Sequence, residues 1–446
     1  MAMQTERTIA AVATPAGVGA LSIVRMSGPA ARDVLRACTG RELQPRRATL
    51  VRVRDAAGRV LDECVATWFA APASFTGEDV VELCCHGGAL VTQLVLERLL
   101  ACGASPAEPG EFSRRAFENG RLDLTQAEAV MDIIQAGSEL ALRAAQYQLQ
   151  GAICKPVEAA VDALLNVTAH VEAYIDFPEE DISPHTQQQL TESLEAVCAE
   201  LRQLLSTADR GRYLREGVRT AIIGAPNAGK SSLLNRLAGY DRAIVSPTAG
   251  TTRDTVEECI SLAGLSLRLI DTAGLRETGD ALEQSGIERT LRAWKSADLV
   301  LEVADAACPP PELPAPPHTA PHLLLLNKCD LPEHPAWQAR AAQAIRISCT
   351  TGEGFETLAQ EIRRLFLTRS AGEQDSLAAI NTRHRYALQQ ALEALQTARD
   401  ALKNACEPEL IAVDLRAALD ALGSITGRID TEDILTRIFS TFCLGK

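Results

Sequence analysis

Hydrophobic and polar positions follow different periods in successive stretches of the chain. From residue 1 to about 120, apolar runs are short and closely punctuated. Leu21-Ser22-Ile23-Val24-Arg25 and the stretch from Cys64 to Phe69 read as strands. Gly and Pro break the chain at Thr14-Pro15-Ala16-Gly17 and Glu108-Pro109-Gly110, which predicts an α+β domain over 1–120. From Leu124 to about Arg212 the period becomes helical. Ile153, Val157, Val161, Leu164, Thr168 and Val171 fall three and four apart and predict one buried stripe on a long helix, interrupted by the acidic break Asp176 to Asp181. From Gly217 to about Leu367, strand candidates alternate with helices: Val218–Ile223, Ser266–Ile270, Leu299–Ala304, Leu323–Leu326 and Ala344–Ser348. That is the βαβ pattern of a parallel sheet. The Pro-rich stretch from Cys308 to Pro321 within it reads as a mobile surface loop. Residues 375 to 446 return to helix, with a stripe of Leu388, Leu392, Leu395, Ala398 and Leu402. Two helical blocks flanking an α/β module either pack together, making the module an insertion, or stand as independent bundles. The pattern alone admits both.

With 446 residues the chain has room for two to four domains. Its 46% apolar and 23% charged content is that of a soluble globular protein, and no apolar run reaches the length of a membrane span. No basic region followed by a long apolar core opens the chain, so a cytoplasmic protein is expected. The 13 cysteines include no C-x-x-C pair; the closest two, Cys84 and Cys85, are adjacent. A disulfide framework or zinc ribbon is therefore not expected, and most of the thiols read as buried or inert. A net charge of −14 argues against coating nucleic acid by bulk electrostatics, though it leaves room for a local basic patch that meets a folded RNA.

The chemistry lies in the third stretch. Gly224-Ala225-Pro226-Asn227-Ala228-Gly229-Lys230-Ser231 matches G-x-x-x-x-G-K-S and follows a strand candidate, as a phosphate-binding loop requires. The glycines let backbone N–H groups curl around phosphates, and the following helix N-terminus adds favourable potential. Lys230 is placed to reach the β- and γ-phosphates, and Ser231 to hold magnesium. Asp271-Thr272-Ala273-Gly274 ends a second strand: Asp271 acts on magnesium through water, and the Gly274 N–H senses the γ-phosphate. Asn327-Lys328-Cys329-Asp330 ends a third. The Asp330 carboxylate can accept two hydrogen bonds from the guanine N1–H and N2 amine, a donor pair adenine lacks, while the Lys328 stem covers the base. Ser348-Cys349-Thr350 follows a further strand and backs the base. Loops at the C-terminal ends of several strands are what a nucleotide site on an open α/β sheet needs. Between the first two lies Gly250-Thr251-Thr252-Arg253-Asp254, where the Thr252 hydroxyl can complete the magnesium shell and close over the γ-phosphate. The sequence thus predicts a guanine-nucleotide-binding hydrolase.

One residue type is missing. Many GTPases place Gln directly after the Asp-x-x-Gly to orient the attacking water; here that position is Leu275, which cannot hydrogen-bond. The following stretch offers Glu277, Asp280 and Glu283, with Arg276 nearby. A bound monovalent cation could supply the missing positive charge, with Asn227 as a ligand.

At this point the chain resembles a known family. The phosphate loop with Asn227, the Gly-Thr-Thr-Arg-Asp segment, Asp-Thr-Ala-Gly-Leu-Arg-Glu and the terminal Cys443-Leu444-Gly445-Lys446 are similar to the MnmE (TrmE) tRNA-modification GTPases. So are Ser74-Phe75-Thr76-Gly77-Glu78-Asp79, His86-Gly87-Gly88, Pro109-Gly110-Glu111-Phe112-Ser113 and Leu122 to Ala129, which extends the likeness over essentially the whole chain. The resemblance implies a multidomain α/β and α+β fold: a tetrahydrofolate-binding-like dimerisation domain (1–120) and a helical domain built from 121–214 and 371–446, with the P-loop GTPase domain (215–370) inserted into it.

It also implies the site. GTP contacts run over Asn227, Ala228, Gly229, Lys230, Ser231 and Ser232; over Ser246, Pro247, Thr248, Ala249, Gly250, Thr251 and Thr252; and over the three later loops. Potassium is held by Asn227, Ser246, Thr248 and Thr251, and promotes pairing of G domains; Glu283 orients the attacking water. Arg25, Glu82, Arg121 and Lys446 match folate-binding positions, Arg121 standing where some members have Lys. Cys349 stands where Ala is common, and Cys443 sits in a motif considered functionally important. The implied function is potassium-activated GTP hydrolysis in a homodimer. With the flavoprotein MnmG, in a heterotetrameric complex, it drives aminomethyl or carboxymethylaminomethyl addition to carbon 5 of the wobble uridine of certain tRNAs. A 5-formyl- or 5,10-methylene-tetrahydrofolate supplies the one-carbon unit. The competing reading is a ribosome-assembly or other RNA-linked regulatory switch built on the same G-domain motifs.

Overall fold

The alternating runs near the N-terminus become an antiparallel sheet. In the computed structural model the described residues are 7–176, 187–240, 258–270, 297–311, 320–338, 344–367, 379–404 and 406–428, with Leu435, 438–440, Phe442, Cys443 and Gly445. They form two compact units.

The first unit comprises residues up to Met131, Val157–Leu165 and the chain from Leu415 onward. Its strands are β1 (Ile9–Val12), β2 (Leu21–Ser27), β3 (Thr49–Arg54), β4 (Val60–Phe69), β5 (Val80–His86) and β6 (Ser105–Pro106), in the order β3-β4-β5-β2-β1-β6. All neighbours pair antiparallel except β6, which runs parallel to β1. Strand alternation sorts the side chains by face. Val24, Met26, Cys64, Ala66, Val81, Leu83 and Cys85 share a core with helices α1 (Ala31–Thr39) and α2 (Ala89–Ala101). Arg25 and Glu82, out of phase with that set, are register partners across β2 and β5. Helices α3 (Glu111–Glu118) and α4 (Leu124–Gln135) follow. Leu124, Ala127 and Met131 of α4 pack with Leu435, Phe439 and Phe442, so the chain's last residues return to the first unit's core.

The second unit comprises Asp132–Pro156 and Asn166–Asp414. Its helices before the sheet include α5 (Glu139–Leu149) and, beyond the long helix α6 (Cys154–Asp176), α7 (Gln187–Ser206) and α8 (Ala208–Glu216). The expected stripe on α6 is buried at every position, from Ile153 to Val171. The sheet order is β12-β11-β10-β7-β9-β8, from β7 (Val218–Ile223), β8 (Glu258–Leu262), β9 (Leu265–Ile270), β10 (Leu299–Asp305), β11 (His322–Asn327) and β12 (Ala344–Arg346). The five strands read from sequence pair parallel. β8, which the sequence reading did not identify, adds an antiparallel edge. It turns into β9 through Ala263 and Gly264, both at positive φ (56° and 80°), the backbone of a two-residue hairpin.

After β7 the chain builds helix α9 (Lys230–Tyr240), then β8 and β9 on one side of β7, and places β10 on the other. The strand order therefore reverses beside β7, and the carboxyl end of β7 against β10 is where an open sheet of this kind leaves a crevice. Helices α10 (Phe355–Leu367) and α11 (Thr382–Lys403) complete the unit, and α12 (Pro408–Thr426) begins in it. α11 starts on a capping box in which Asn381 accepts from the His384 N–H at 2.8 Å. Its stripe, Leu388 to Leu402, is buried. Among the described residues no helix is long and apolar enough to cross a membrane.

Candidate functional site

The loop from Gly224 to Gly229 leaves the end of β7 and enters α9 at Lys230. Three of its residues hold backbone conformations that ordinary side chains avoid: Gly224 (φ 148°), Asn227 (φ 62°) and Gly229 (φ 101°). Space is as restrictive as conformation. A Cβ on Gly224 would lie 2.1 Å from the Val303 carbonyl oxygen, and one on Gly229 would lie 2.1 Å from Asn327 Nδ2. The loop is thus pressed against β10 and the end of β11 and runs into the α9 N-terminus, an arrangement that favours an anion. The Lys230 ammonium donates to the carbonyls of Gly224 (2.9 Å) and Ala225 (2.8 Å), and burial pulls its pKa below the usual lysine range. It is held by the loop it serves, and phosphate oxygens would replace those two carbonyls. Ser231 and Ser232 occupy the first turn of α9.

Asn327 ties the Gly224–Gly229 loop to the Ser348–Thr350 loop. Its side chain is buried, donates from Nδ2 to the Ala228 carbonyl at 3.0 Å, and accepts at Oδ1 from the Cys349 N–H at 3.2 Å. The Cys349 N–H, a candidate for backing the base, is engaged with Asn327 in this structure. Lys328 sits at φ 65° with its ammonium 2.6 Å from Asp305 Oδ2, at the end of β10. Burial pushes the Asp305 carboxyl up, but the Lys328 ammonium and the Ala307 N–H outweigh it and its pKa ends below the usual range. The Cys329 N–H donates to the Ile347 carbonyl at 3.2 Å, and Asp330 is left exposed. Ser348 is buried and its Oγ accepts from the Thr351 N–H at 3.1 Å, closing the Ser348-Cys349-Thr350 turn. Burial also raises the Cys349 thiol above its usual pKa. These hydrogen bonds draw the Lys230, Asp330 and Cys349 loops together at one end of the sheet. Ser246, Pro247, Thr248, Ala249, Gly250, Thr251, Thr252, Asp271, Thr272, Ala273, Gly274 and Glu283 lie outside the described residues, as does 312–319 of the Pro-rich stretch.

In the first unit a second constellation forms on the sheet face opposite α1 and α2. Arg25 donates from Nε (2.9 Å) and Nη2 (2.7 Å) to Glu82 Oε1, and from Nη1 to the Gly445 carbonyl (3.1 Å). Its guanidinium lies 5.7 Å from the Phe75 ring centroid and 5.8 Å from that of Phe112. The chain terminus is seated closely: a Cβ on Gly445 would lie 2.6 Å from the Val12 carbonyl oxygen, and the Cys443 carbonyl accepts from the Gly110 N–H at 3.4 Å, leaving Cys443 exposed. Arg121 is exposed, and its stem lies beside Gly77, two residues from Phe75. Lys446 lies outside the described residues.

Comparison with known proteins decides the family. The description "GTP-binding protein TrmE N-terminus" matches residues 8–121, and "MnmE helical domain" matches 124–443. The tRNA modification GTPase MnmE of Akkermansia muciniphila is 59% identical over 447 residues, covering 99% of both chains. The protein of the same description from Opitutus terrae is 46% identical over 450 residues, again covering 99% of both; that from Azoarcus is 46% identical over 448, covering 98% of both. The chain belongs to the MnmE family of tRNA-modification GTPases. It is an enzyme, a GTPase, and its fold is that of the family: an inserted P-loop α/β domain, a helical domain and an N-terminal α+β domain.

The loops that identify an MnmE protein were visible as sequence, but three of their supports were not. Asn327 was singled out only as part of a tetrapeptide, yet its amide bridges two loops. Asp305 had one available signal, its place directly after the strand Leu299–Ala304. Arg236 covers Gly352, where a Cβ would lie 2.1 Å from its Nη2, and donates to the Thr351 carbonyl at 3.4 Å; no motif marks it.

Proposed function

We propose that the chain is a potassium-activated GTP hydrolase that drives wobble-uridine modification together with the flavoprotein MnmG. In this reading it is a cytoplasmic homodimer, joined with MnmG in a heterotetramer. A (carboxymethyl)aminomethyl group is added to carbon 5 of the wobble uridine of certain tRNAs. The boundaries 1–120, 121–214, 215–370 and 371–446 go with it. One observation carries the potassium reading: Asn227 is exposed and held at φ 62° inside the phosphate loop, so an amide is available there, and the sequence puts Leu275, which cannot hydrogen-bond, directly after Asp271-Thr272-Ala273-Gly274. The full-length family match favours this reading over a ribosome-assembly switch.

The residues divide the work. Phosphates bind the loop from Asn227 to Ser232, and Lys230 exchanges its carbonyl partners for their oxygens. Ser231 and Thr252 hold magnesium, which neutralises charge on the transferring phosphoryl group. Asn227 with Ser246, Thr248 and Thr251 holds potassium. Glu283 orients the water, and Asp330 reads guanine. Arg25, Glu82, Arg121 and Lys446 hold the tetrahydrofolate derivative; a guanidinium between two aromatic rings and beside a carboxylate suits a flat heteroaromatic acid.

Turnover of GTP by the full chain in potassium, compared with sodium at equal ionic strength, tests the core of this. A rate higher in potassium by on the order of a hundredfold is expected, since the cation supplies charge that other GTPases take from an arginine. Equal rates in both salts would refute potassium activation.

A second expectation concerns the base. Asp330→Asn replaces a double acceptor by a group that also donates, which suits the O2 carbonyl of xanthine and repels the N2 amine of guanine. GTP affinity should fall on the order of a thousandfold, with xanthosine triphosphate taking its place. Unchanged preference for GTP over the xanthine nucleotide in competition binding would remove Asp330 from this role.

A further inference from the structure

The sequence offers no cysteine spacing that suggests a metal, but the register of β4 and β5 creates a set of donors. Cys64 and Cys85 sit near the end of the ladder that pairs Val65 with Cys84, both on the face covered by α1 and α2. Asp62, two residues before Cys64, falls on the same face. The Asp62 carboxylate and the two sulfurs all lie within 4.8 Å of one another, and all three residues are buried. Neither cysteine is in a disulfide. The carboxylate is oriented from behind: it accepts from the Glu63 N–H (2.9 Å) and the His86 N–H (3.0 Å), and pairs with His86 Nδ1 at 2.7 Å. His86 itself is 71% exposed, so the buried cluster lies one hydrogen bond from a solvent-facing side chain.

We propose that Asp62, Cys64 and Cys85 form a zinc site on the helix-covered face of the N-terminal sheet, separate from the nucleotide site and opposite the Arg25–Glu82 face. Two thiolates and a carboxylate are a borderline-soft donor set that suits Zn2+ over magnesium or calcium. A tetrahedral zinc places such donors about 3.5–3.8 Å apart, so adjustments of about 1 Å complete the coordination, with water as the fourth ligand on the His86 side. His86 plays the orienting part that carboxylate–histidine pairs play around metals, here holding the carboxylate in place. Binding releases both thiol protons and puts one dication among three anionic donors, a centre of net charge −1 faced by the Glu63 and His86 N–H groups. It would pin β4 to β5 just before the His86-Gly87-Gly88 turn, where a Cβ on Gly87 would lie 2.5 Å from the Gly19 carbonyl oxygen.

The test is a titration of the reduced full-length chain with Co2+ alone, followed by Zn2+. One equivalent of cobalt should give sulfur-to-cobalt charge-transfer absorption in the near ultraviolet and the visible bands of a tetrahedral ion, and zinc should bleach both. Cys64→Ser/Cys85→Ser should abolish the bands, Cys443→Ser should keep them, and His86→Ala should weaken binding about 10- to 100-fold. Because the double variant removes core side chains, far-ultraviolet circular dichroism establishes that it is folded. Absence of the bands in excess cobalt, or their persistence in the double variant, would each overturn the site.

Discussion

Gly224→Ala is expected to abolish GTP binding while leaving the chain able to fold in its first unit. The new Cβ would lie 2.1 Å from the Val303 carbonyl oxygen and 3.1 Å from its carbon, in the middle of β10, at a φ of 148° that alanine avoids. β10 is paired on both sides and cannot yield. The phosphate loop must therefore move away from β10, which costs on the order of 3 kcal/mol in strain and overpacking. That alone corresponds to about a hundredfold in affinity, and the N–H cradle is displaced as well. Titration with a fluorescent GDP or GTP analogue measures it, and affinity equal to the natural chain's would contradict the crowding described. Gly239→Ala is the control: it lies in α9, near that helix's C-terminal end, a Cβ there meets nothing within 4 Å, and it should bind nucleotide normally.

Arg115→Met is expected to destabilise the first unit more than any exposed substitution in it. Arg115 is 3% exposed and pairs with Glu111 Oε1 at 2.8 Å and Glu78 Oε2 at 3.1 Å, while its Nη1 donates to the Arg7 carbonyl at 2.8 Å. Glu78 also accepts from Ser27 Oγ at 2.6 Å, and Ser27 bonds Thr76 at 2.7 Å. Methionine keeps most of the stem's packing but leaves Glu78 without its Arg115 partner and Glu111 with only Arg7, at 3.3 Å. Removing one partner of a buried pair costs about 3–5 kcal/mol, on the order of 10 °C in the midpoint of a unit this size. Thermal unfolding of the full chain, followed in the first unit by hydrogen exchange, reads it. A midpoint within a degree or two of the natural chain's would show that the network is not holding the Ser74–Asp79 loop. That loop carries Phe75 against Arg25, so under the folate role proposed for Arg25, binding of a tetrahydrofolate should weaken along with stability. Arg121→Met separates the effects: Arg121 is exposed, so its loss should weaken folate binding with no change in the midpoint.

Local pattern was enough for most of the elements and for the loops Gly224–Ser231 and Asn327–Asp330. The stripes Ile153 to Val171 and Leu388 to Leu402 are helical because a 3.6-residue period needs only neighbours along the chain to declare it. The Gly224–Ser231 loop was legible for the same reason: a backbone cradle is built from consecutive residues, so its glycines and lysine are bound to a fixed spacing. Asn327-Lys328-Cys329-Asp330 was legible as a motif at a strand end. β8 was not, because a short edge strand pairs on one side only and Glu258–Leu262 carries little of the apolar run that marked the buried parallel strands. What only the tertiary structure decided depends on register and chain return. The Asn327 amide finds Ala228, and Lys328 finds Asp305, across loops closed by a hundred residues and by a strand crossover. Arg25 meets Glu82 and then the Gly445 carbonyl, 420 residues away in sequence. Cys64 and Cys85, read as inert thiols, come together with Asp62 because antiparallel pairing sets which residue faces which. Side-chain alternation states which face a residue takes, but a one-residue slip would exchange the faces, and the register that prevents it is settled by packing of the whole sheet.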